Sequence, residues 1–363
     1  MNLRAFPLII AAATLLASGP AGAEQAYQQG WKVAAAGAWP PAVVGQRVVV
    51  KSGDTLTAYQ ISDGSRIWQR SLPGLLYGEG VLAAGGQLVY VLDGRGVHLL
   101  GAADGKPVKH HKLTRPINVL YHKGTVYVTT SRGSYRFGPA LDKKLGEARG
   151  ITGEIRGADG QYLVLYQQQA KTRGGTSPKR LVVLDLDSSK LTYTFKLLPR
   201  GGHKVIRVGN RRLVFIDHSR RHKGVNKKKL FYTEADYVRA KKTLKDISLS
   251  SNYTAAGSDH FWVAAGAAGQ VFIANHGGPG APTALLAYDP ARRSTIWARG
   301  GLVASMGILL HRGQLWTGTV DKKGQAMLAV YSPDNGNLLF RRPLDSPGAG
   351  SPVGVGERVL VRT

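Results

Sequence analysis

One short frame, used again and again, constrains this chain more than any other feature. Ala58-Tyr59 is followed by Asp63-Gly64 and then Trp68, Ala287-Tyr288 by Asp289 and Trp297, and Val330-Tyr331 by Asn335-Gly336 and Phe340. In each copy an alternating apolar run meets a turn and a second run ending in an aromatic, which is the pattern of a β-hairpin. Nine residues separate the tyrosine from the aromatic in all three copies. Looser copies centre on Leu100 with Asp104-Gly105, on Phe137, on Leu184 with Tyr193, and on Tyr232 with Asp236. Ahead of most anchors lies another apolar run, such as Val48-Val49-Val50, Leu88-Val89-Tyr90-Val91 or Val271-Phe272-Ile273, with a short strand before it. Each unit therefore offers four strands, A to D from inside to outside. A repeat of roughly 40 to 50 residues cannot bury its own apolar faces and must stack on its neighbours. Four-stranded units repeated radially make a β-propeller, an all-β fold. The 47 glycines among 363 residues suit many tight turns and disfavour long helices.

The ends of the chain suggest how such a ring closes. Val353-Gly354 and Arg358-Val359-Leu360-Val361 look like strands A and B without C or D, and Gly30-Trp31-Lys32-Val33 looks like an orphan outer strand. Pairing of these terminal strands would complete one more blade. Eight blades are expected, with seven as the alternative because the unit at Phe137 is irregular. The first residues read as export machinery. Arg4 precedes the mostly apolar run Ala5 to Ala17, and Ala21-Gly22-Ala23 is a small-x-small cleavage site before Glu24. The expected organisation is a signal peptide over 1–23 and a single β-propeller domain over 24–363. The apolar run is shorter than the ~20 residues that span a bilayer, and no later segment reaches that length. The absence of cysteine excludes disulfides, thiolate metal sites and a lipidated N-terminal cysteine. The expected location is the bacterial periplasm or the medium, as a monomer that is not a lipoprotein.

The Ala-Tyr-x-x-x-Asp-Gly-x-x-x-Trp pattern at Ala58 to Trp68, and its looser form at Ala287 to Trp297, resembles the pyrroloquinoline-quinone-like (PQQ-like) propeller repeat. That repeat occurs in quinoprotein dehydrogenases and in the propeller lipoprotein of the bacterial outer-membrane assembly machine. The resemblance implies an eight-bladed ring in which the recurrent aromatic packs between neighbouring blades. Trp68, Trp297 and Phe340 are accordingly structural blade-docking residues, whereas Trp31, Trp39, Trp262 and Trp316 share no register with them. The enzymes of the family resemble one another in a calcium-binding set of acidic and amide residues, a catalytic Asp and usually an adjacent cysteine pair. This chain has no cysteine, and Asp63, Asp104, Asp236 and Asp289 fall in or beside turns, where turn chemistry explains them. No catalytic residue, cofactor or metal is therefore expected. His98, His110-His111, His218 and His222 are interleaved with Lys and Arg, which argues for contact with an anion over metal ligation.

Charge supplies the remaining specificity. With 49 Lys+Arg against 22 Asp+Glu, the formal charge is +27. Residues 151–246 carry 22 of the basic and 8 of the acidic side chains, and the excess gathers in the B to C connections of two adjacent units. The candidate partner-binding residues are Lys171, Arg173, Lys179 and Arg180 in one, and Arg220, Arg221, Lys223, Lys227, Lys228 and Lys229 in the next. All B to C connections leave a propeller on one face, so these would form a basic platform that attracts acidic partners. The expected function is a non-enzymatic exported binding module for an acidic protein or a polyanion such as lipopolysaccharide, acidic polysaccharide or nucleic acid. The alternative is a cell-envelope assembly scaffold for protein partners, and a PQQ-dependent oxidoreductase ranks third.

Overall fold

A computed structural model describes residues 9–15, 27–34, 38–168, 179–197, 203–219, 229–239, 241–248, 257–266, 269–277, 283–320, 325–344 and 352–362. Their regular structure is entirely β. Two strands, β1 (Ile9–Leu15) and β2 (Tyr27–Ala34), belong to the sheet that closes the ring. The first sheet holds β3 (Ala38–Val44), β4 (Arg47–Ser52), β5 (Thr55–Gln60) and β6 (Arg66–Ser71). The second holds β7 (Leu82–Gly85), β8 (Leu88–Asp93), β9 (Gly96–Gly101) and β10 (Pro107–Lys112). The third holds β11 (Pro116–His122), β12 (Thr125–Thr130), β13 (Gly133–Phe137) and β14 (Lys144–Arg149). The fourth holds β15 (Glu154–Asp159), β16 (Tyr162–Gln168), β17 (Lys179–Asp185) and β18 (Lys190–Lys196). The fifth holds β19 (His203–Gly209), β20 (Arg212–Ser219), β21 (Lys229–Asp236) and β22 (Lys241–Ser248). The sixth has seven strands: β23 (Gly257–Ala265), β24 (Val271–Gly277), β25 (Thr283–Asp289), β26 (Ser294–His311), β27 (Gln314–Val320), β28 (Ala326–Tyr331) and β29 (Leu338–Pro343). The closing sheet has the order β2-β1-β31-β30, with β30 (Val353–Val355) and β31 (Arg358–Arg362) from the other end of the chain.

The expectation of eight blades is thereby corrected to seven. The units anchored at Tyr288 and Tyr331 are not separate sheets, because β26 pairs with β25 along Ser294–Leu302 and then with β27 along Val303–His311. A sequence repeat counts hairpins. Two hairpins become two sheets only where the chain turns between them, and here the strand runs on.

The repeat itself has a geometric basis. In the hairpin between third and fourth strands, each anchor pairs with the residue seven positions later: Tyr59 with Arg66, Leu100 with Pro107, Phe137 with Lys144, Leu184 with Leu191, Tyr288 with Thr295 and Tyr331 with Leu338. A register shift adjoins every one of these pairs, so the anchor marks a β-bulge that twists the outer strand. The unit placed at Tyr232 needs correction, because Ala235 pairs with Lys242 beside the bulge and is the true anchor.

First strands stand next to one another around the inside: β3 beside β7, β7 beside β11, β11 beside β15, β15 beside β19, β19 beside β23, and β26 beside β30. Second and third strands lie between neighbouring sheets and are buried on both faces, which is why Val89 to Asp93 in β8 are all buried. Outer strands face water on most of their length, and β10 and β29 contain no buried residue. The core is therefore a series of inter-sheet layers. One joins Val49, Leu56 and Trp68 of the first sheet to Val89, Val91 and Leu100 of the second.

Closure joins the two chain ends. Val355 and Leu360 pack with Trp31 and with Val48 and Val50 of the first sheet, while Val359 and Val361 pack with Trp316 and Leu328 of the sixth. The orphan strand β2 is not paired directly with β31. Strand β1, inside the segment read as a leader, lies between them and pairs Ile10 with Arg362 through Thr14 with Arg358.

Candidate functional site

Three tryptophans fix the sheets relative to one another and so set the geometry of the faces. Trp68 Nε1 donates to Ala102 O at 3.0 Å, and its ring covers Gly105. Trp297 Nε1 donates to Pro333 O at 2.7 Å, and its ring covers Gly336. Trp31 Nε1 donates to Ile61 O at 2.7 Å over Gly64, so Trp31 holds the same place in β2 that Trp68 and Trp297 hold in β6 and β26. Sequence reasoning missed this because the frame preceding Trp31 is absent from β2. The signal was the aromatic itself, facing an Asp-Gly turn in the following unit. Phe340 is partly buried against the layer of Trp316 and Leu328. Trp316 is fully buried there, and Trp262 packs against the layer of Trp297.

The connections from second to third strands leave the ring on one face. β16 and β17 pair out to Gln168 with Lys179, and β20 and β21 out to Ser219 with Lys229. The two basic connections thus emerge from adjacent sheets at the same end. Lys171, Arg173, Arg220, Arg221, Lys223, Lys227 and Lys228, like His222, lie outside the described residues. Lys229 opens β21 and Lys179 opens β17. Arg180 is half-buried, and its Nε donates to Gln167 Oε1 at 2.7 Å. Lys179 contributes to a positive field that reaches inward. His203 stacks on Tyr166 with ring centroids 4.4 Å apart. Burial, reinforced by the charges of Arg156, Lys204 and Lys179, pushes the His203 pKa down to about 3.

On the same face, the two-residue turn between β8 and β9 carries a different arrangement. Asp93 ends β8, and its Oδ1 accepts the Arg95 N–H at 2.8 Å. Its Oδ2 lies 3.0 Å from His98 Nε2 and 3.3 Å from His110 Nε2. His98 and His110 are paired across β9 and β10, and their rings stack at 4.3 Å. Burial works to raise the Asp93 pKa, but the Arg95 amide and the two imidazoles outweigh it and hold the carboxyl below its ordinary value. Beside this cluster an open pocket of ≈ 530 Å³ is lined by Arg95, His110, Lys112 and Arg115, among others. Arg115 has φ 49, an uncommon left-handed backbone for a side chain of this size. His111 turns the other way, packing edge-on against Phe137 at 4.7 Å, and burial lowers its pKa.

The four aspartates singled out in the sequence close turns. Asp63 Oδ1 accepts from Ser65 N at 2.9 Å, Asp104 Oδ1 from Lys106 N at 3.0 Å, Asp236 Oδ1 from Val238 N at 3.0 Å, and Asp289 Oδ1 from Ala291 N at 2.9 Å. Among the described residues, Asp93, His98 and His110 are the group of three His, Asp or Glu side chains that converges closely enough for a shared ligand. That set of two imidazoles and one carboxylate differs from the acidic and amide set that the family resemblance implies for a quinone with calcium.

Residues 23–191 match the PQQ_2 family model, described as outer membrane protein assembly factor BamB. No curated protein sequence matches the chain. Among solved structures, BamB from Moraxella catarrhalis is 12% identical, covers 92% of this chain and 88% of its own, and superposes with a TM-score of 0.50. The quinohemoprotein alcohol dehydrogenase ADHIIG from Pseudomonas putida HK5 is 12% identical over 88% of this chain and 68% of its own, with a TM-score of 0.55. The dihydro-heme d1 dehydrogenase NirN is 15% identical over 96% of this chain and 75% of its own, with a TM-score of 0.63. At these identities the likeness concerns the fold. The chain has a β-propeller fold, and its residues 23–191 match a PQQ-like repeat model.

Proposed function

We propose that this propeller is a non-enzymatic, exported binding module that grips an acidic protein partner in the bacterial cell envelope through the face bearing its second-to-third-strand connections. The observation that carries the reading is the placement of two connections rich in Lys and Arg on neighbouring sheets, rooted at Gln168 with Lys179 and at Ser219 with Lys229. Neighbouring cationic loops sum their fields and steer an acidic surface toward one face. Supporting the non-enzymatic half, Asp63, Asp104, Asp236 and Asp289 are engaged as turn acceptors. The family match over residues 23–191 to an outer membrane assembly factor supports a protein partner and an envelope location over a free polyanion. The N-terminal run and the small-x-small site at Ala21 to Ala23 support export. No helix among the described residues is long and apolar enough to cross a membrane.

The test replaces Arg220, Arg221, Lys227, Lys228 and Lys229 with Ser and compares the variant with one in which Lys106, Lys143, Arg239, Arg341 and Arg342 are changed. Capture of acidic envelope proteins, and of heparin as a defined probe, is measured at ~50 and ~200 mM salt, a range over which charge contacts are progressively screened. The first variant is expected to lose both ligands at low salt while the dispersed variant keeps them. Equal loss in both would reduce the site to net charge, and retention in the first would remove it.

A further inference from the structure

We propose that Asp93, His98 and His110 form a binding site for a borderline divalent transition metal ion, zinc above all, with an open fourth position facing the cationic pocket beside them. This goes beyond the binding reading and does not depend on it. The three donors come from three adjacent strands and are held before any ion arrives. Asp93 is fixed by the Arg95 amide at 2.8 Å in a two-residue turn. His98 and His110 stand directly opposite one another in the β9–β10 ladder. Gly96 keeps the space clear, since a Cβ there would lie 2.1 Å from His111 O and 3.1 Å from His110 Nε2.

The two carboxylate-to-imidazole spacings fit a tetrahedral ion. Zinc bonds of about 2.0–2.1 Å imply ligand-to-ligand edges of about 3.3 Å. Asp93 Oδ2 lies 3.0 Å from His98 Nε2 and 3.3 Å from His110 Nε2, and all three donor atoms fall within 4.8 Å of one another. Two imidazoles and one carboxylate are a donor set suited to zinc, copper or nickel and poorly suited to magnesium or calcium. Without an ion, each imidazole directs Nε2 at the carboxylate. With one, neutral imidazoles keep their proton on Nδ1 and offer the Nε2 lone pair. The side chains are 12%, 20% and 30% exposed for Asp93, His98 and His110, so the carboxylate is covered while His110 opens the site to solvent.

The surrounding charge decides what completes the site. Arg95, Lys112 and Arg115 line the pocket shared with His110 and work against a bare dication. The same charges favour an anionic fourth ligand, a carboxylate or phosphate oxygen, which would neutralise the remaining charge of an ion already holding one carboxylate.

Cobalt(II) is the probe, because its visible absorption reports tetrahedral coordination. Titration of the purified, chelator-treated full chain is expected to show one ion per chain with a tetrahedral spectrum. His98→Gln and His110→Gln should each weaken binding at least tenfold, and His122→Gln should leave it unchanged. Since a substitution in β9 risks misfolding, wild-type protein supplies a second measurement. Zinc should protect His98 and His110 from carbethoxylation by diethyl pyrocarbonate, read by peptide mass spectrometry. Absence of binding by the wild type, binding that survives both substitutions, or loss only in His218→Gln/His222→Gln would overturn the proposal.

Discussion

Trp31, Trp68 and Trp297 each do two things at once: the ring buries apolar surface between sheets, and the indole N–H satisfies a carbonyl of the next unit. The glycine under each ring is needed for space as well as for its backbone. At Gly105, φ is +66 and a Cβ would lie 2.7 Å from the Trp68 ring, whereas Gly45 has φ +56 with nothing within 4 Å. Gly105→Ala is therefore expected to cost about 2–4 kcal/mol, from left-handed strain and overpacking together, and Gly45→Ala about 1–2 kcal/mol from strain alone. Urea melts of the two variants measure the difference, and equal losses would show that the ring contact carries nothing. His203 makes a pH prediction. Its pKa falls from 6.5 to about 3 on folding, so below pH 6.5 the unfolded chain takes up a proton that the native chain refuses. Stability is lost as pH falls through that window, by about 1–2 kcal/mol between pH 7 and pH 5. The depressed pKa values of His111 and His311 act in the same direction. His203→Phe, which keeps a ring against Tyr166, should flatten the dependence in melts run at the two pH values.

Individual strands report their positions through burial. β8 is buried over five of its six residues because sheets cover it on both sides, and β10, one place further out, reads Pro107-Val108-Lys109-His110-His111-Lys112 with none buried. The gradient from apolar second strand to polar fourth strand was legible in the sequence because burial selects it directly. The anchors were legible too, since the bulge that each one adjoins recurs with the same offset. The fifth was misplaced by three residues. Tyr232 looks like an anchor by residue type, but the bulge falls at Ala235, and only the ladder to Lys242 reveals it. Strands β30 and β31 are short, yet each side of closure depends on them. Removing residues 352–363 takes Val355 and Leu360 from one inter-sheet layer and Val359 and Val361 from the other. The expected outcome is an insoluble chain or a broad, non-cooperative melt by circular dichroism, since two paired edges are opened at once. An unchanged melting temperature would count against closure by these strands.

Across the whole molecule, the segment proposed as an export signal also takes part in ring closure through β1. Removal of residues 1–23 would take β1 from between β31 and β2, leaving β2 held mainly by Trp31 on Ile61 O and Gly64. Mass spectrometry of the exported protein is expected to find Glu24 as its first residue. In that shortened chain Trp31→Ala should cost more than in a chain that keeps residues 1–23, with truncation of a buried Trp worth ~3–5 kcal/mol in general. Equal costs would mean that pairing to β1 contributes nothing. Reconstitution with pyrroloquinoline quinone and calcium is expected to give no substrate-dependent dye reduction across alcohols and sugars, and turnover would displace the binding-module reading. The sequence by itself determined the propeller, its four-stranded units and the clustering of charge in two neighbouring connections, because burial between sheets and turn chemistry act on residues close together in the chain. The tertiary structure alone decided that the last two hairpins share β26, that Trp31 docks like Trp68 and Trp297, and that Asp93, His98 and His110 converge. Those outcomes depend on strand register and on which unit follows which in space. A one-residue change of register would separate the same side chains without altering any local pattern.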